Sequence, residues 1–304
     1  MKSKSRRVLS RRDFLKSSAA AGFTASALGA VPGGAPAEGR LRFGIVTDAH
    51  YADTEPLLGR YFRESIAKMT ECVGLMNEQK VAFLIELGDF KDQDTPADEQ
   101  KTVAYLRAIE RCFRAFDGPA YHVLGNHDVD SISKERFLEN ITNPGIPPAA
   151  TYYSFDCGGI HCVVLDANFR ADGSPYDRGN YRWNEAYVPE AELDWLGKDL
   201  AGTRLPTIAF CHQQLGGGGI LDVSNAAEVR AVLRESNRVL AAFDGHNHEG
   251  CHAVLEGIHY YTLRAMVDGS GPENSAYAVV EVTPERDIVV TGYRRAESRD
   301  FSKE

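Results

Sequence analysis

Basic residues are in short supply in this chain: Lys and Arg together number 34 against 43 Asp and Glu, a formal net charge of −9. The deficit deepens once residues 1–37 are set apart, because they hold seven basic residues (Lys2, Lys4, Arg6, Arg7, Arg11, Arg12, Lys16) and one acid, Asp13, which leaves −15 on the remainder. So acidic a body excludes a nucleic-acid backbone as the main partner. Cysteine is missing before Cys72, which rules out lipid attachment at a cleavage-site cysteine. Long apolar runs are missing too, since the Ala/Gly/Ser stretch from Ser17 to Val31 is too short and glycine-rich to span a membrane comfortably. The glycine run Gly216 to Gly219 lacks the Lys and Ser/Thr that a phosphate loop requires, so it reads as a flexible rim loop. No internal repeat or low-complexity run follows residue 40.

The N-terminal segment carries its own pattern. Ser10-Arg11-Arg12-Asp13-Phe14-Leu15-Lys16 matches a twin-arginine export signature, and Ala35-Pro36-Ala37 ends the apolar stretch with a small-residue cleavage site. A basic arm for nucleic acid or lipid headgroups would need neither feature. Residues 1–37 are therefore expected to be a signal peptide read by the twin-arginine translocation machinery. Residues 38–304 would form one domain, periplasmic or secreted, with no transmembrane span in the mature chain. Its composition, 43% hydrophobic and 25% charged, is that of an ordinary globular protein. The six cysteines permit disulfides in an oxidising compartment, but proteins folded before export keep reduced, buried thiols just as readily. Cys211 reads as core, because strand alternation turns it away from His212.

Beyond residue 40 the pattern alternates strand and helix. Phe62, Ile66, Met69, Val73 and Met76 recur at helical spacing, as do Val103, Leu106, Ile109, Phe113 and Phe116. A third helix should open with Pro189 in its first position and close at Gly202, and a fourth should run from Ala226 to Glu235 with Ser224 or Asn225 as cap. Tyr152 to Cys157 and His161 to Asp166, joined by Gly158-Gly159, read as a β-hairpin. Strands in two groups with helices outside imply an α/β fold of two stacked sheets in α-β-β-α order.

Polar groups cluster where strands end. Asp48-Ala49-His50 follows the strand Leu41 to Thr47, Gly88-Asp89-Phe90-Lys91-Asp92 follows Ala82 to Leu87, and Gly125-Asn126-His127-Asp128 follows a short strand beginning at Ala120. His212 and Gly245-His246-Asn247-His248 close two more. The C-terminal ends of strands are where α/β sheets present ligand sites. Two carboxylates, one amide oxygen and four imidazoles make a donor set suited to a pair of borderline divalent ions such as Mn, Fe, Zn or Co. His122, His161, His252 and His259 lie within strands away from these stretches and read as structural.

This ordered set, D-x-H, G-D-x-x-D, G-N-H-D, H and G-H-x-H, resembles the calcineurin-like metallophosphoesterase superfamily. Asp48-Ala49-His50-Tyr51-Ala52-Asp53 with Gly59-Arg60-Tyr61-Phe62-Arg63 further resembles its manganese-dependent ADP-ribose/CDP-alcohol diphosphatase branch. The resemblance implies a four-layer α-β-β-α sandwich and two divalent metal ions, manganese foremost. It assigns Asp48, His50, Asp89 and His248 to the first ion, and Asp89, Asn126, His212 and His246 to the second. Two cations bridged by Asp89 would lower the pKa of a shared water aimed at phosphorus. The resemblance also implies that His127 transfers a proton to the leaving oxygen and that Asp92 orients it. Asp128 is read as tying down the loop.

Substrate contacts are less marked. The segment Asn168 to Tyr187 interleaves Arg170, Arg178 and Arg182 with Tyr176, Tyr181 and Trp183, a set able to stack a base and grip a second phosphate. The same residues would equally pack a solvated loop on its own aromatics. Arg178, Tyr181, Arg182 and Tyr51 are the substrate-binding candidates, with Arg60 and Tyr61 behind them. Gln93 stands where the resembling protein phosphatases carry arginine, which counts against phosphoprotein substrates. Three functions are therefore expected in descending order: a phosphodiesterase or pyrophosphatase on nucleotide-like diphosphates, a broad-range phosphomonoesterase, and a non-catalytic exported metal-binding module.

Overall fold

The computed structural model describes residues 40–303, so the expected signal peptide lies outside the described residues. The strands are β1 (Leu41–Val46), β2 (Leu84–Glu86), β3 (Ala120–His122), β4 (Tyr153–Cys157), β5 (Ile160–Val164), β6 (Thr207–Phe210), β7 (Val239–Asp244), β8 (Cys251–Leu255), β9 (Ile258–Thr262), β10 (Ala276–Val282), β11 (Ile288–Arg294) and β12 (Arg299–Asp300). The α-helices are α1 (Ser65–Gln79), α2 (Glu99–Phe113), α3 (Lys134–Leu138), α4 (Glu190–Gly202) and α5 (Ala226–Glu235).

Twelve strands divide into two six-stranded mixed sheets, ordered β12-β11-β10-β1-β2-β3 and β4-β5-β6-β7-β9-β8. Alternation along the strands explains the stacking. Phe43 and Ile45 on β1 and Ile85 on β2 turn one way to meet Phe210 and Phe243 of the other sheet, forming the inner core. Gly44 between them faces α1, and a Cβ there would lie 2.6 Å from the Met76 sulfur. Val46 and Leu84 join Met69, Val73, Leu106 and Ile109 beneath α1 and α2, while Val163, Ala209 and Ala242 join Leu196, Leu200, Val229 and Leu233 beneath α4 and α5. The layers therefore run α-β-β-α, as the two groups of strands require. Phe43 stacks on Phe83 at 4.8 Å and meets Phe210 edge-on at 5.8 Å, so one ring couples both sheets.

The β4–β5 hairpin turns on Gly158 and Gly159 with φ of 57° and 81°, the left-handed pair that a two-residue turn needs. Two helix boundaries differ from expectation. Pro189 is the N-cap of α4, in extended backbone, and Gly202 is its last helical residue. Asn225 precedes α5 without capping it, because its amide grips both the N–H and the C=O of Val188 on a neighbouring segment. Cys211 is buried in the core beneath α4 and α5, and all six cysteines are free thiols. Among the described residues no helix is long and apolar enough to cross a membrane.

Candidate dinuclear metal site

At the C-terminal ends of β1, β2, β6 and β7 the chain leaves the sheets in abrupt turns. Four residues there, Asp48, His50, Asp89 and His246, adopt positive φ of 51°, 44°, 55° and 65°, a conformation costly for residues with a Cβ. Backbone bonds lock the turns together: Asp48 N–H donates to Gly88 O at 3.0 Å and His50 N–H to Asp89 O at 2.8 Å. Asp128 acts as the staple expected of it, accepting from the N–H groups of Asp89 (3.0 Å), Phe90 (2.9 Å) and Gly125 (2.8 Å). Glycine is required where these turns touch. A Cβ on Gly125 would stand 2.1 Å from Asp89 N, and one on Gly245 would stand 2.0 Å from Thr47 Oγ1.

These turns bring the side chains together. His50 Nε2 lies 3.6 Å from Asp48 Oδ1 and 3.5 Å from Asp89 Oδ2, and His248 Nε2 lies 3.4 Å from Asp48 Oδ1. On the other side His212 Nε2 lies 3.2 Å from Asp89 Oδ2. Asp48, His50 and His248 thus form one group able to hold a cation, and Asp89, His212 and His246 form another. Asn126 sits between Gly125 and His127, whose N–H donates to Asp89 Oδ1 at 2.7 Å.

Each imidazole is oriented from behind. His50 Nδ1 lies 3.1 Å from Asp92 Oδ2, His212 Nδ1 2.8 Å from Leu87 O, His248 Nδ1 3.0 Å from Asp268 Oδ1, and His246 Nε2 2.8 Å from Trp183 O. A ring nitrogen that donates to oxygen leaves the opposite nitrogen with a lone pair, the arrangement found behind metal-bound histidines. In front, Asp48 Oδ1, His50 Nε2, His212 Nε2 and both amide atoms of Asn126 are buried without a hydrogen-bond partner. Each such atom costs about 1–3 kcal/mol if left unmet. A donor set of oxygen and imidazole nitrogen with these open positions fits divalent cations.

The electrostatics suit a cation at the carboxylates and at His246, whereas His212 and His248, raised against burial by their carboxylate neighbours to about 10 and about 9, would have to release a proton to bind one. Burial opposes ionisation of Asp48, yet His248 and His50 hold its carboxyl well below the usual range; burial likewise opposes Asp89, and His212 and His127 hold it low. Burial, and then the neighbouring His212, push His246 down to about 4. This ring is therefore neutral at ordinary pH, as a ligand must be.

His127 belongs to neither of these groups and is mostly buried, its ring 4.7 Å from that of His50. Burial disfavours its charged form, but Asp89, Asp130 and Asp92 outweigh that and raise it to about 10. Its Nδ1 is 3.5 Å from Asp92 Oδ2 and 3.7 Å from Asp130 Oδ2. Asp92 therefore stands between two imidazoles and is nearer His50 than His127. Asp130 is held by buried Lys91, whose Nζ also contacts His127 O.

The expected substrate contacts are dispersed. Tyr181 packs against His127 with ring centroids 5.5 Å apart and against the buried Tyr176 at 6.0 Å, so the 168–187 segment both packs on its own aromatics and reaches the site. Tyr51 meets Tyr105 edge-on at 6.0 Å. Arg178 faces Glu99 at 3.9 Å and Asp177 at 4.0 Å, and Arg182 faces Glu185 at 3.6 Å. Asp268 and Asp130 belong to no stretch singled out in the sequence, and Trp183, singled out there for its ring, contributes its carbonyl instead. Asp268 and Asp130 fall outside the strand-end motifs, and a backbone carbonyl has no residue signature at all.

A family model described as calcineurin-like phosphoesterase matches residues 41–250. The chain belongs to the calcineurin-like phosphoesterase family. This phosphoesterase is 29% identical to a manganese-dependent ADP-ribose/CDP-alcohol diphosphatase of Oryza sativa subsp. japonica over 84% of its own length and 92% of that protein's. It is 25% identical to the protein of the same name from Arabidopsis thaliana, over 88% and 99% of the two chains. Its fold is that of a dimetal phosphatase from Danio rerio, with a TM-score of 0.74 at 21% identity, covering 86% of this chain and 98% of that one. With such relatives and candidate cation sites of this chemistry, it is a metal-dependent phosphohydrolase.

Proposed function

We propose that this phosphoesterase hydrolyses phosphodiester or phosphoanhydride bonds of nucleotide-like diphosphates, such as ADP-ribose or CDP-alcohols, with two divalent ions, manganese foremost. The observation that carries the dinuclear reading is the set of four imidazoles anchored from behind, with their free nitrogens gathered around Asp48 and Asp89. Asp48, His50, Asp89 and His248 would hold one ion, and Asp89, Asn126, His212 and His246 the other, with Asp89 shared. A third possible group, His50 with Asp92 and His127, shares His50 with the first; on the present assignment His50 Nδ1 faces Asp92 and its Nε2 faces Asp48 and Asp89. The substrate range rests on the names of the relatives.

When bound, the ions supply Lewis-acid polarisation of a phosphoryl oxygen and a nucleophile usable at neutral pH. The protein's own groups do the rest. Asn126 offers a neutral oxygen, which adds no negative charge against the incoming phosphate. His127 holds a proton: its Nδ1 is turned to Asp92 and Asp130, and the residue lines the cleft, where it could pass a proton to the leaving oxygen. Lys91 keeps Asp130 in place, and Asp128 keeps the Asp89 and Asn126 turns in register.

Comparing turnover of bis(4-nitrophenyl) phosphate, 4-nitrophenyl phosphate and ADP-ribose with Mn tests the reading. Faster cleavage of ADP-ribose and the diester supports it. Preference for the monoester would replace it with a phosphomonoesterase, and no turnover with any divalent ion would leave a binding module. Export is proposed on Arg11-Arg12 and the apolar stretch that follows. Retention of an Arg11→Lys, Arg12→Lys protein inside the cell, with wild type outside the inner membrane, checks it.

A further inference from the structure

Lys68, in the first turn of α1, is a buried charge that the proposed mechanism leaves unused. Burial pushes its ammonium down to about 8 while Glu64 and Asp268 act the other way, so it stays charged at neutral pH. A lysine so placed ordinarily faces a carboxylate. The hydrogen-bond acceptors of Lys68 among the described residues are instead four successive backbone carbonyls: Met266 O at 2.9 Å, Val267 O at 3.3 Å, Asp268 O at 3.2 Å and Gly269 O at 2.7 Å. An ammonium has three N–H groups, so four oxygens gathered on one point form a cradle like those that hold a monovalent cation rather than a set of matched bonds.

The cradled segment is the one that runs along the candidate metal site. Ala265 N–H donates to His248 O at 3.2 Å, Met266 N–H to Thr47 O at 3.1 Å and Val267 N–H to Asp48 O at 3.0 Å. The Asp268 carboxylate oxygens lie 3.0 and 3.1 Å from His248 Nδ1. The start of α1 grips both sides of this arrangement. Ser65 Oγ donates to Ala49 O, between Asp48 and His50, and Glu64 accepts from Gly271 N–H at 2.6 Å. Carbonyl dipoles aimed at one point repel each other, so without a cation the 266–269 backbone would open and carry Asp268 with it.

We propose that Lys68 is a positioning residue for the cation assigned to Asp48, His50, Asp89 and His248: its ammonium serves as a built-in monovalent cation that gathers the 266–269 carbonyls and so sets the Asp268 carboxylate behind His248. Lys68 touches neither ion nor substrate and acts through Asp268. This inference rests on the ligand assignment proposed above and adds the support that holds one of its imidazoles in place.

The test is calorimetric binding of manganese to wild type, Lys68→Ala and Lys68→Gln, each also combined with Asp268→Asn. Loss of an outer partner of a metal ligand costs about 10- to 100-fold in metal affinity, and Lys68→Ala is expected to weaken manganese binding about tenfold. Added ammonium ion, which fits the space the side chain vacates, should restore the affinity of Lys68→Ala and leave wild type unchanged. Lys68→Gln keeps two N–H donors and most of the volume; it should fold where Lys68→Ala does not, lose less affinity and gain nothing from ammonium. In the Asp268→Asn background the further loss from either Lys68 substitution should vanish, whereas a residue that merely holds the fold would lower Tm in both backgrounds without changing affinity in either. Variants that bind manganese as wild type does, no recovery of Lys68→Ala with ammonium, or a loss undiminished in Asp268→Asn would each overturn the role of Lys68 and leave the metal site standing. A wild type that binds no manganese overturns the ligand assignment, and this role with it.

Discussion

His127 and Asp268 show what individual side chains contribute. His127 is the proton carrier of the proposed mechanism but lies outside both groups assigned to the cations, so His127→Ala should lose about 10²- to 10⁴-fold in kcat while retaining its manganese. Metal analysis beside kinetics checks this, and loss of metal would make His127 a ligand instead. Asp268 acts at one remove, through the 3.0 Å contact to His248 Nδ1. Asp268→Asn should weaken manganese binding about 10- to 100-fold, read by titration of the ion against activity and by calorimetry. The two residues also differ in how far sequence exposes them. His127 stands inside Gly125-Asn126-His127-Asp128, where an imidazole beside a ligand amide is conspicuous. Asp268 follows β9 in an ordinary Val-Asp-Gly turn, and its approach to His248 depends on how the segment after β9 runs past the end of β1, with Val267 N–H bonded to Asp48 O. No local pattern encodes that path.

Elements were legible where periodicity or turn chemistry spoke alone. The α1 and α2 stripes and the Gly158-Gly159 hairpin are of this kind. Boundaries were less so where a side chain had a tertiary partner, as Asn225 shows by serving Val188 rather than capping α5. His161 on β5 is a further case. In sequence it is a lone strand histidine, but its two nitrogens lie 2.6 Å from Asp156 on β4 and 2.8 Å from Asp199 on α4, tying hairpin to helix. Burial opposes its charge, Asp199 and Asp156 outweigh burial, and its pKa in the folded protein is raised. That stabilisation is fully present below the unfolded value of about 6.5 and fades as pH rises through the folded value. The urea midpoint of wild type should accordingly exceed that of His161→Gln most below about pH 6, with the gap narrowing in alkali. A gap that does not change with pH would make His161 a packing residue only. At the end of β7, Gly245→Ala should cost most of the activity, because its methyl would collide with Thr47 and Asp48. Circular dichroism would show the sheets intact.

For the molecule as a whole, the two sheets share one inner core, and the site lies where strands of both sheets end. Cation binding should therefore stabilise the entire fold. At a manganese concentration 100 times Kd the gain is about 2.7 kcal/mol, so chelation should lower Tm and manganese should restore it. The Asp89→Asn protein should respond less, having lost the carboxylate assigned to both ions. Phe43→Ala, which removes the ring linking the sheets, should cost about 3–5 kcal/mol whether or not metal is present. The architecture was legible as a whole because strands that alternate with helices and end in polar turns admit few packings. The segment 168–187 was not, since aromatic and cationic residues suit a substrate lip and a self-packed loop alike.

The carbonyl of Trp183 holds the rear nitrogen of His246, so on the ligand assignment proposed here the surface loop and one cation share a hinge. An inhibitor that shoulders the loop aside need never touch metal to loosen it, and an antibody raised against the exposed indole would be expected to strip the enzyme of an ion.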